Sequence, residues 1–377
     1  MDFNFTEDQA SLRDAVGKWV EKGFDFSRRH QLAKDGGATR AVYTELAELG
    51  LTGMAVPEAH GGMGFGPVEA MVVMEELGRG LVNAPLAAGA LVAPALFEHA
   101  TADVRSAWLP KIASGEALVV LAQHERPARY RLNVVHTLAK ATANGHQITG
   151  HKSVVLAADE ADAFIVPARL QGAVDSPAGI GLFLVEKGAN GLMVQGYPTQ
   201  DGGRAGELKM VDTPATLITA EGFATLEMAT DVGIAAVCAE AVGLMDKMLA
   251  ITVEYMNTRK QFGVPLASFQ ALRHRLADVK MAVELGRSMS YFASLKLGEP
   301  AAQRRRALSQ AKVQMGNSMR FVGQACTQIH GGIGVTDEYI SSHYFKRLTM
   351  LEMAYGDSQH HLGEVSTRMQ ETAGVFA

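Results

Sequence analysis

Two stretches of this 377-residue chain place residue types that could do chemistry at close spacing. The first runs Tyr255-Met256-Asn257-Thr258-Arg259-Lys260-Gln261-Phe262-Gly263-Val264-Pro265-Leu266 and continues to Phe269-Gln270. Its pattern predicts a long helix ending at an arginine, a turn with an aromatic and a glycine, and a new helix. Arg259 suits a pyrophosphate there, because its fork of N–H donors matches phosphate oxygens. The second, Gln328-Ile329-His330-Gly331-Gly332-Ile333-Gly334, offers glycine backbone that a cofactor can approach without side-chain obstruction. Either stretch alone also reads as an ordinary helix–turn–helix junction. No Gly-x-Gly-x-x-Gly follows a strand pattern, and there is no P-loop lysine, His-Glu-x-x-His or Gly-x-Ser-x-Gly. His343 and the pair His360-His361 raise the question of a metal. Adjacent histidines on a helix point in different directions, so exposed or capping histidines are expected, and no metal.

The elements that must position these stretches fall into three zones. From Thr6 to about Gly115 the pattern is helical. Thr6 with Gln9 fits an N-cap and its capping-box partner, opening a helix with Leu12, Val16, Trp19 and Val20 at three- and four-residue steps. A second helix carries Val68 to Leu77, and the glycine-rich Pro57 to Gly64 lies between them as loop. From about Leu118 to Thr225, short β-branched runs appear at Val119–Leu121, Ser153–Leu156, Ala163–Val166 and Gly181–Val185. Turn signals at Asn144-Gly145, Asp175-Ser176-Pro177 and Asp201-Gly202-Gly203 punctuate them, predicting an antiparallel barrel or sandwich. From Leu226 to Gln370 long helices return, broken at Gly263–Pro265, Gly298–Pro300 and Gly331–Gly334, with a close-packing alanine-rich run from Ile234 to Gly243. The expected domains are 1–117, 118–225 and 226–377.

Composition narrows the function classes. Hydrophobic residues make up 47% and charged residues 20%, which excludes a disordered chain and implies extensive burial. The net charge of −5 gives no sign of nucleic acid or an anionic membrane as partner. The basic clusters Arg304-Arg305-Arg306 and Arg273-His274-Arg275 are short and read as solvated helix faces. Cys238 and Cys326 sit in apolar helical patterns without a CxxC, as suits a reducing compartment. The start, Met1 to Asp8, shows no basic segment followed by an apolar run, and the longest uncharged stretch, Leu81–Phe97, is broken by Asn83, Pro85 and Pro94. A cytoplasmic protein without a membrane span is expected.

Along essentially its whole length the sequence resembles the acyl-CoA dehydrogenase family of FAD flavoproteins. Phe5-Thr6-Glu7-Asp8-Gln9, Leu49-Gly50-Leu51, Gly61-Gly62-Met63-Gly64, Glu75-Glu76-Leu77-Gly78-Arg79, Gly150-His151-Lys152 and both glycine-bearing stretches carry the likeness. Arg259-Lys260-Gln261-Phe262-Gly263 is the most specific of these. The resemblance implies a predominantly helical α+β fold: an N-terminal helical domain, a middle β-barrel-like domain and a C-terminal four-helix bundle. It also implies a homo- or hetero-oligomer with FAD extended between subunits. Arg259, Gln261 and Phe262, with Gln328 and Gly332, are then expected to reach the FAD of a neighbouring subunit. Gln270, Gly331, Ser358 and His360 complete the expected cofactor set. The implied reaction is α,β-dehydrogenation of an acyl-CoA, with electron-transfer flavoprotein as acceptor.

The pattern departs from the family where its base belongs. Counting from Arg347 without a gap, the family's tyrosine falls on Tyr355 and its glutamate position on Gly356, followed by Asp357-Ser358-Gln359-His360-His361. The alternative base position, on the first helix of the C-terminal bundle, falls on Gly233 and its neighbouring arginine on Ile234. Flavin-side residues become His124-Glu125-Arg126, Ala128-Arg129-Tyr130 and Val154-Val155-Leu156. Gly-Asp followed by paired histidines is similar to the small or partner subunits of degradative acyl-CoA dehydrogenases, such as the small subunit of pimeloyl-CoA dehydrogenase. Three readings stand: a dehydrogenase with Asp357 as a non-standard base, against which Asp357 is only a helix N-cap; a catalytically silent subunit completing a paralogue's FAD site; and a flavin oxidase or monooxygenase on the same scaffold.

Overall fold

The computed structural model describes residues 5–143 and 145–372. Asn144 of the expected Asn144-Gly145 turn and residues 1–4 lie outside them. The helices are α1 (Glu7–Gly23), α2 (Phe26–Lys34), α3 (Arg40–Glu48), α4 (Pro67–Arg79), α5 (Ala93–Leu96) and α6 (Ala102–Ala113). After the strands come α7 (Phe223–Thr258), α8 (Gln270–Lys296), α9 (Ala301–His330), α10 (Ile340–Met353) and α11 (Ser358–Thr372). The strands are β1 (Val119–Leu121), β2 (Leu138–Thr142), β3 (Gly145–Leu156), β4 (Ala163–Arg169), β5 (Ile180–Glu186), β6 (Leu192–Pro198) and β7 (Arg204–Thr219), with the short β8 (Lys260–Gln261) and β9 (Val264–Pro265). The glycine-rich loop contains one turn of 3-10 helix, Glu58–His60. No described helix is long and apolar enough to cross a membrane.

The chain divides into two compact units. One comprises the chain up to Arg29, Pro67–Val82 and everything from Ile234 on; the other comprises His30–Gly66 and Asn83–Gly233.

In the second unit the strands hydrogen-bond in the order β1-β4-β2-β3-β7-β5, and β4 also pairs with β5. That last pairing closes a five-strand ring, with β6 laid outside on β7. The barrel is therefore as expected, but not wholly antiparallel, because β1 and β2 both meet β4 in parallel. All seven residues of β4 are buried, which explains its unbroken apolar run. The register of β3 on β7 shifts between Lys152 and Val155, and Val154 at this bulge has φ 51°.

In the first unit α1 opens on the expected capping box. Thr6 Oγ1 accepts from the Gln9 amide at 3.2 Å and Gln9 Oε1 from the Thr6 amide at 3.0 Å. Helix α4 crosses α7 so closely that a Cβ on Gly243 would lie 1.8 Å from the Glu75 carbonyl oxygen, and one on Gly78 would lie 2.1 Å from that of Glu240. Beside the crossing, Glu75 takes Arg13 at 3.0 Å, Arg287 at 2.5 Å and Arg79 at 3.4 Å. Helix α9 packs against α8, α10 and α11. Arg304 and Arg305 on it are 9% and 7% exposed, so the expected solvated face is corrected for these two: both are buried, and Arg304 donates to the Glu299 carbonyl at 3.3 Å. Arg273, His274 and Arg275 are exposed, as expected.

Gly243→Ala forces the α4–α7 crossing apart and is expected to cost about 1–3 kcal/mol. Gly363→Ala, in α11 where an added Cβ meets nothing within 4 Å, is expected to gain about 0.5–1 kcal/mol. Thermal or urea unfolding of both variants beside the parent checks the pair.

Candidate active site

The arginine stretch forms an exposed hairpin. The Arg259 amide donates to the Tyr255 carbonyl at 2.8 Å, completing the last turn of α7, and the chain doubles back through β8 and β9. Phe262 and Gly263 at the tip have φ 53° and 84°, the two left-handed residues of a type I′ turn. The Phe262 ring is 93% exposed and meets Phe269 edge-on at 6.1 Å. Arg259, Gln261 and Gln270 are exposed as well.

The glycine stretch ends α9. Gln328, Gly331 and Gly332 are exposed, and a Cβ on either glycine would meet nothing within 4 Å. A cluster of three tilted rings fastens this turn to the hairpin's helix. Tyr255 lies 4.6 Å from the His330 ring and donates its hydroxyl to the His330 carbonyl at 3.3 Å, and Tyr339 completes a triangle, 5.2 Å from His330 and 6.4 Å from Tyr255. His330 Nδ1 donates to the Cys326 carbonyl at 2.8 Å, and burial lowers its pKa against that bond. Tyr255 and His330 stood inside the two motifs; the contact joining them, and Tyr339, carried no spacing signal in the sequence.

The junction of α10 and α11 holds the second group of expected residues. Tyr355 and Gly356 have φ 57° and 113°. Asp357 Oδ1 accepts from the His360 amide at 2.8 Å, the geometry of an N-cap on α11. Ser358 is 6% exposed and gives its hydroxyl to Glu352 Oε1 at 2.7 Å, so it faces the bundle rather than solvent. A Cβ on Gly356 would lie 2.7 Å from His360 Cδ2 and 2.7 Å from His361 Nε2. His360 is half-buried. His361 is buried, with Nε2 donating to the Tyr355 carbonyl at 3.0 Å; burial, then Lys312 and His360, push it down to about 3. His343 is buried too, 2.8 Å from both an Arg29 guanidinium nitrogen and the Asp337 carbonyl. The expectation of exposed or capping histidines is thus corrected for His343 and His361, which are core residues with internal partners.

In the second unit Glu125, Arg126, His136, Thr137, Gly150 and His151 line a cavity of about 410 Å³. Glu125, 4% exposed, accepts from Lys152 at 2.7 Å, from the Thr137 hydroxyl at 2.7 Å, and from the amides of His136 and Thr137 at 2.7 and 3.1 Å. Burial opposes that charge, but Lys152 and these donors outweigh it and hold the carboxyl below its ordinary range. Val154, half exposed on β3, is a β-branched residue in left-handed backbone, a conformation held only where its surroundings impose it. Glu207 stands nearby, 2.9 Å from His151 and 3.1 Å from the Tyr197 hydroxyl.

Residues 6–116 match the model for the acyl-CoA dehydrogenase N-terminal domain, and residues 220–370 the model for the acyl-CoA dehydrogenase C-terminal domain. The chain belongs to the acyl-CoA dehydrogenase family. It is 27% identical to acyl-CoA dehydrogenase FadE27 of Mycobacterium tuberculosis, over 99% of this chain and 100% of that one. Among solved structures it resembles a variant of the Tcur3481-Tcur3483 steroid ACAD at 28% identity and a TM-score of 0.88, covering 98% of this chain and 99% of that one. It likewise resembles the ChsE4-ChsE5 complex from Mycobacterium tuberculosis at 26% identity and a TM-score of 0.88, covering 99% of this chain and 100% of that chain. The fold is that of the acyl-CoA dehydrogenases, whose members are FAD flavoproteins. The exposed donors fit that cofactor: a guanidinium for a diphosphate, an aromatic plane on a turn, and glycine backbone clear of side chains.

Glu125→Gln leaves the wholly buried Lys152 ammonium without its counter-charge and is expected to cost about 3–5 kcal/mol, read by urea unfolding at pH 7. The sign with pH follows from the depressed carboxyl. The stability Glu125 lends is full above the unfolded carboxylate pKa and is lost as pH falls through its lower native value. The gap between variant and parent should therefore narrow in acid.

Proposed function

We propose that this chain takes part in FAD-dependent α,β-dehydrogenation of an acyl-CoA thioester as one subunit of a heteromer, with a paralogous acyl-CoA dehydrogenase chain supplying the carboxylate that removes the α-proton. The observation that carries this reading is the α10–α11 junction. Where the family's glutamate is expected stands Gly356, at φ 113°, and the space a side chain there would need is filled by His360 and His361. The neighbouring carboxylate, Asp357, is engaged as the cap of α11.

Dehydrogenation needs a base at the α-carbon, fixed donors on the thioester carbonyl and a hydride acceptor opposite the β-carbon. FAD, when bound, supplies the acceptor. This chain's contribution is to hold it: Arg259 on the diphosphate, with Gln261, Phe262, Gln270, Gln328, Gly331 and Gly332 around the rest of a neighbouring subunit's cofactor. The exposure of that whole set, on a hairpin tip and a glycine turn, supports a role outside the chain's own core. A resembled structure is itself a two-component complex, ChsE4-ChsE5, which supports the heteromer. Electron-transfer flavoprotein is the proposed acceptor, the cytoplasm the proposed location, and 1–117, 118–225 and 226–377 the proposed domains.

Two substitutions in the co-expressed complex test the reading. Asn caps a helix as well as Asp does, so Asp357→Asn removes the base chemistry and leaves the fold. Acyl-CoA turnover within about twofold of the parent is expected; a loss on the order of 10²–10⁴ would make Asp357 the base and end the heteromeric reading. Arg259→Ala is expected to weaken FAD retention about 10- to 100-fold, measured by flavin absorbance after dialysis; unchanged retention would remove the inter-subunit role.

A further inference from the structure

The last four carbonyls of a helix have no partner within it and must find one elsewhere. At the end of α10 the accounting is complete. The Met350 carbonyl takes the Ala354 amide at 3.1 Å and the Met353 carbonyl takes the Gly356 amide at 3.3 Å. The two between them, Leu351 and Glu352, take the ammonium of Lys312 at 3.0 and 2.7 Å. Its third proton goes to the Gly356 carbonyl at 2.9 Å. Lys312 lies on α9, is 0% exposed, and so spends its entire donor capacity on backbone of the neighbouring junction.

We infer that Lys312 is the positioning residue of the α10–α11 junction: its three hydrogen bonds hold the left-handed Tyr355-Gly356 turn and thereby set where Asp357 and the His360-His361 pair stand. Two left-handed residues in succession, one of them a tyrosine, persist only where surroundings impose them. Here the Gly356 carbonyl is pinned from inside the bundle by a group that also anchors the preceding helix. Losing one proton would leave two donors for three carbonyls and release the turn. Burial pushes Lys312 down to about 8, with Cys238, Glu352 and Asp357 opposing. The groups facing it are Cys238 on α7, Glu352 on α10, Asp357 in the junction, and His360 and His361 on α11. Of these, burial sends Cys238 up to about 12, His361 down to about 3, and His360 below its ordinary value, so none of these three titrates alongside the lysine in mild alkali.

Amide hydrogen exchange of the full chain between pH 7 and pH 9.5, divided by the intrinsic base-catalysed rate, tests this without reference to flavin or acyl-CoA. It therefore stands or falls apart from the dehydrogenase reading. In the parent, protection of residues 354–361 is expected to fall about tenfold across that range, as one hydrogen bond to a charged donor is lost, while α8 stays constant. Lys312→Met is expected to show the unprotected junction at pH 7 and no further step. Parent-like protection of 354–361 in Lys312→Met, or a surviving step, would overturn the assignment. Should that variant not fold, Lys312→Gln keeps two N–H donors and cannot titrate; a flat profile is then expected, and a step at the same pH would overturn the assignment equally.

Discussion

A charge taken out of water costs least where its protons or lone pairs find partners, and where they do, those partners fix the local geometry. Glu125 in the barrel and Lys312 in the bundle are the clearest cases. Glu125 collects Lys152, one hydroxyl and two amides, so the segment from His124 to Thr137 cannot move independently of β3. Lys312 collects three carbonyls and ties α9 to the end of α10. Arg347 does the same between α10 and α7, meeting both oxygens of Glu240 at 2.6 and 2.9 Å. Lys312 reaches from inside α9 to the end of α10, whereas Arg347 and Glu240 join the interiors of α10 and α7.

That placement bears on what the junction can do. Around Gly356 several polar groups are engaged by neighbours within the junction. Ser358 donates to Glu352, His361 to the Tyr355 carbonyl, and Asp357 accepts from the His360 amide. The hairpin is arranged in the opposite sense, with Arg259, Gln261 and Phe262 in solvent. That contrast is what the proposed division of labour between chains rests on.

Much of this architecture is legible in the sequence because it rests on local rules. The Thr6–Gln9 capping box, the glycine and proline breaks between the C-terminal helices, and the β-branched runs of β1, β4 and β5 all appear where spacing places them. The strands β2, β6 and β7 were not foreseen. Their apolar residues come singly, in pairs or in threes among Lys, Gln, Gly, Glu, Thr and Pro, so no long β-branched run marks them, and pairing with neighbours makes them strands. The site divides in the same way. Arg259 to Gly263 and Gln328 to Gly334 are contiguous motifs and can be read from spacing alone. The roles of Lys312, His361, Arg304 and Arg305 depend on which face of α9 or α11 turns inward. Lys312 in particular binds carbonyls, which leave no trace in residue identity.

On the proposed heteromeric reading, a chain without the base remains useful as a subunit. A glycine at position 356 carries no carboxylate to desolvate and can adopt the left-handed backbone the turn requires. His360 and His361 fill the space beside it. The hairpin and the glycine turn are tied together by the contacts among Tyr255, His330 and Tyr339, whereas the α10–α11 junction is tied to Lys312. With separate supports, the two tasks can under that reading be divided between chains.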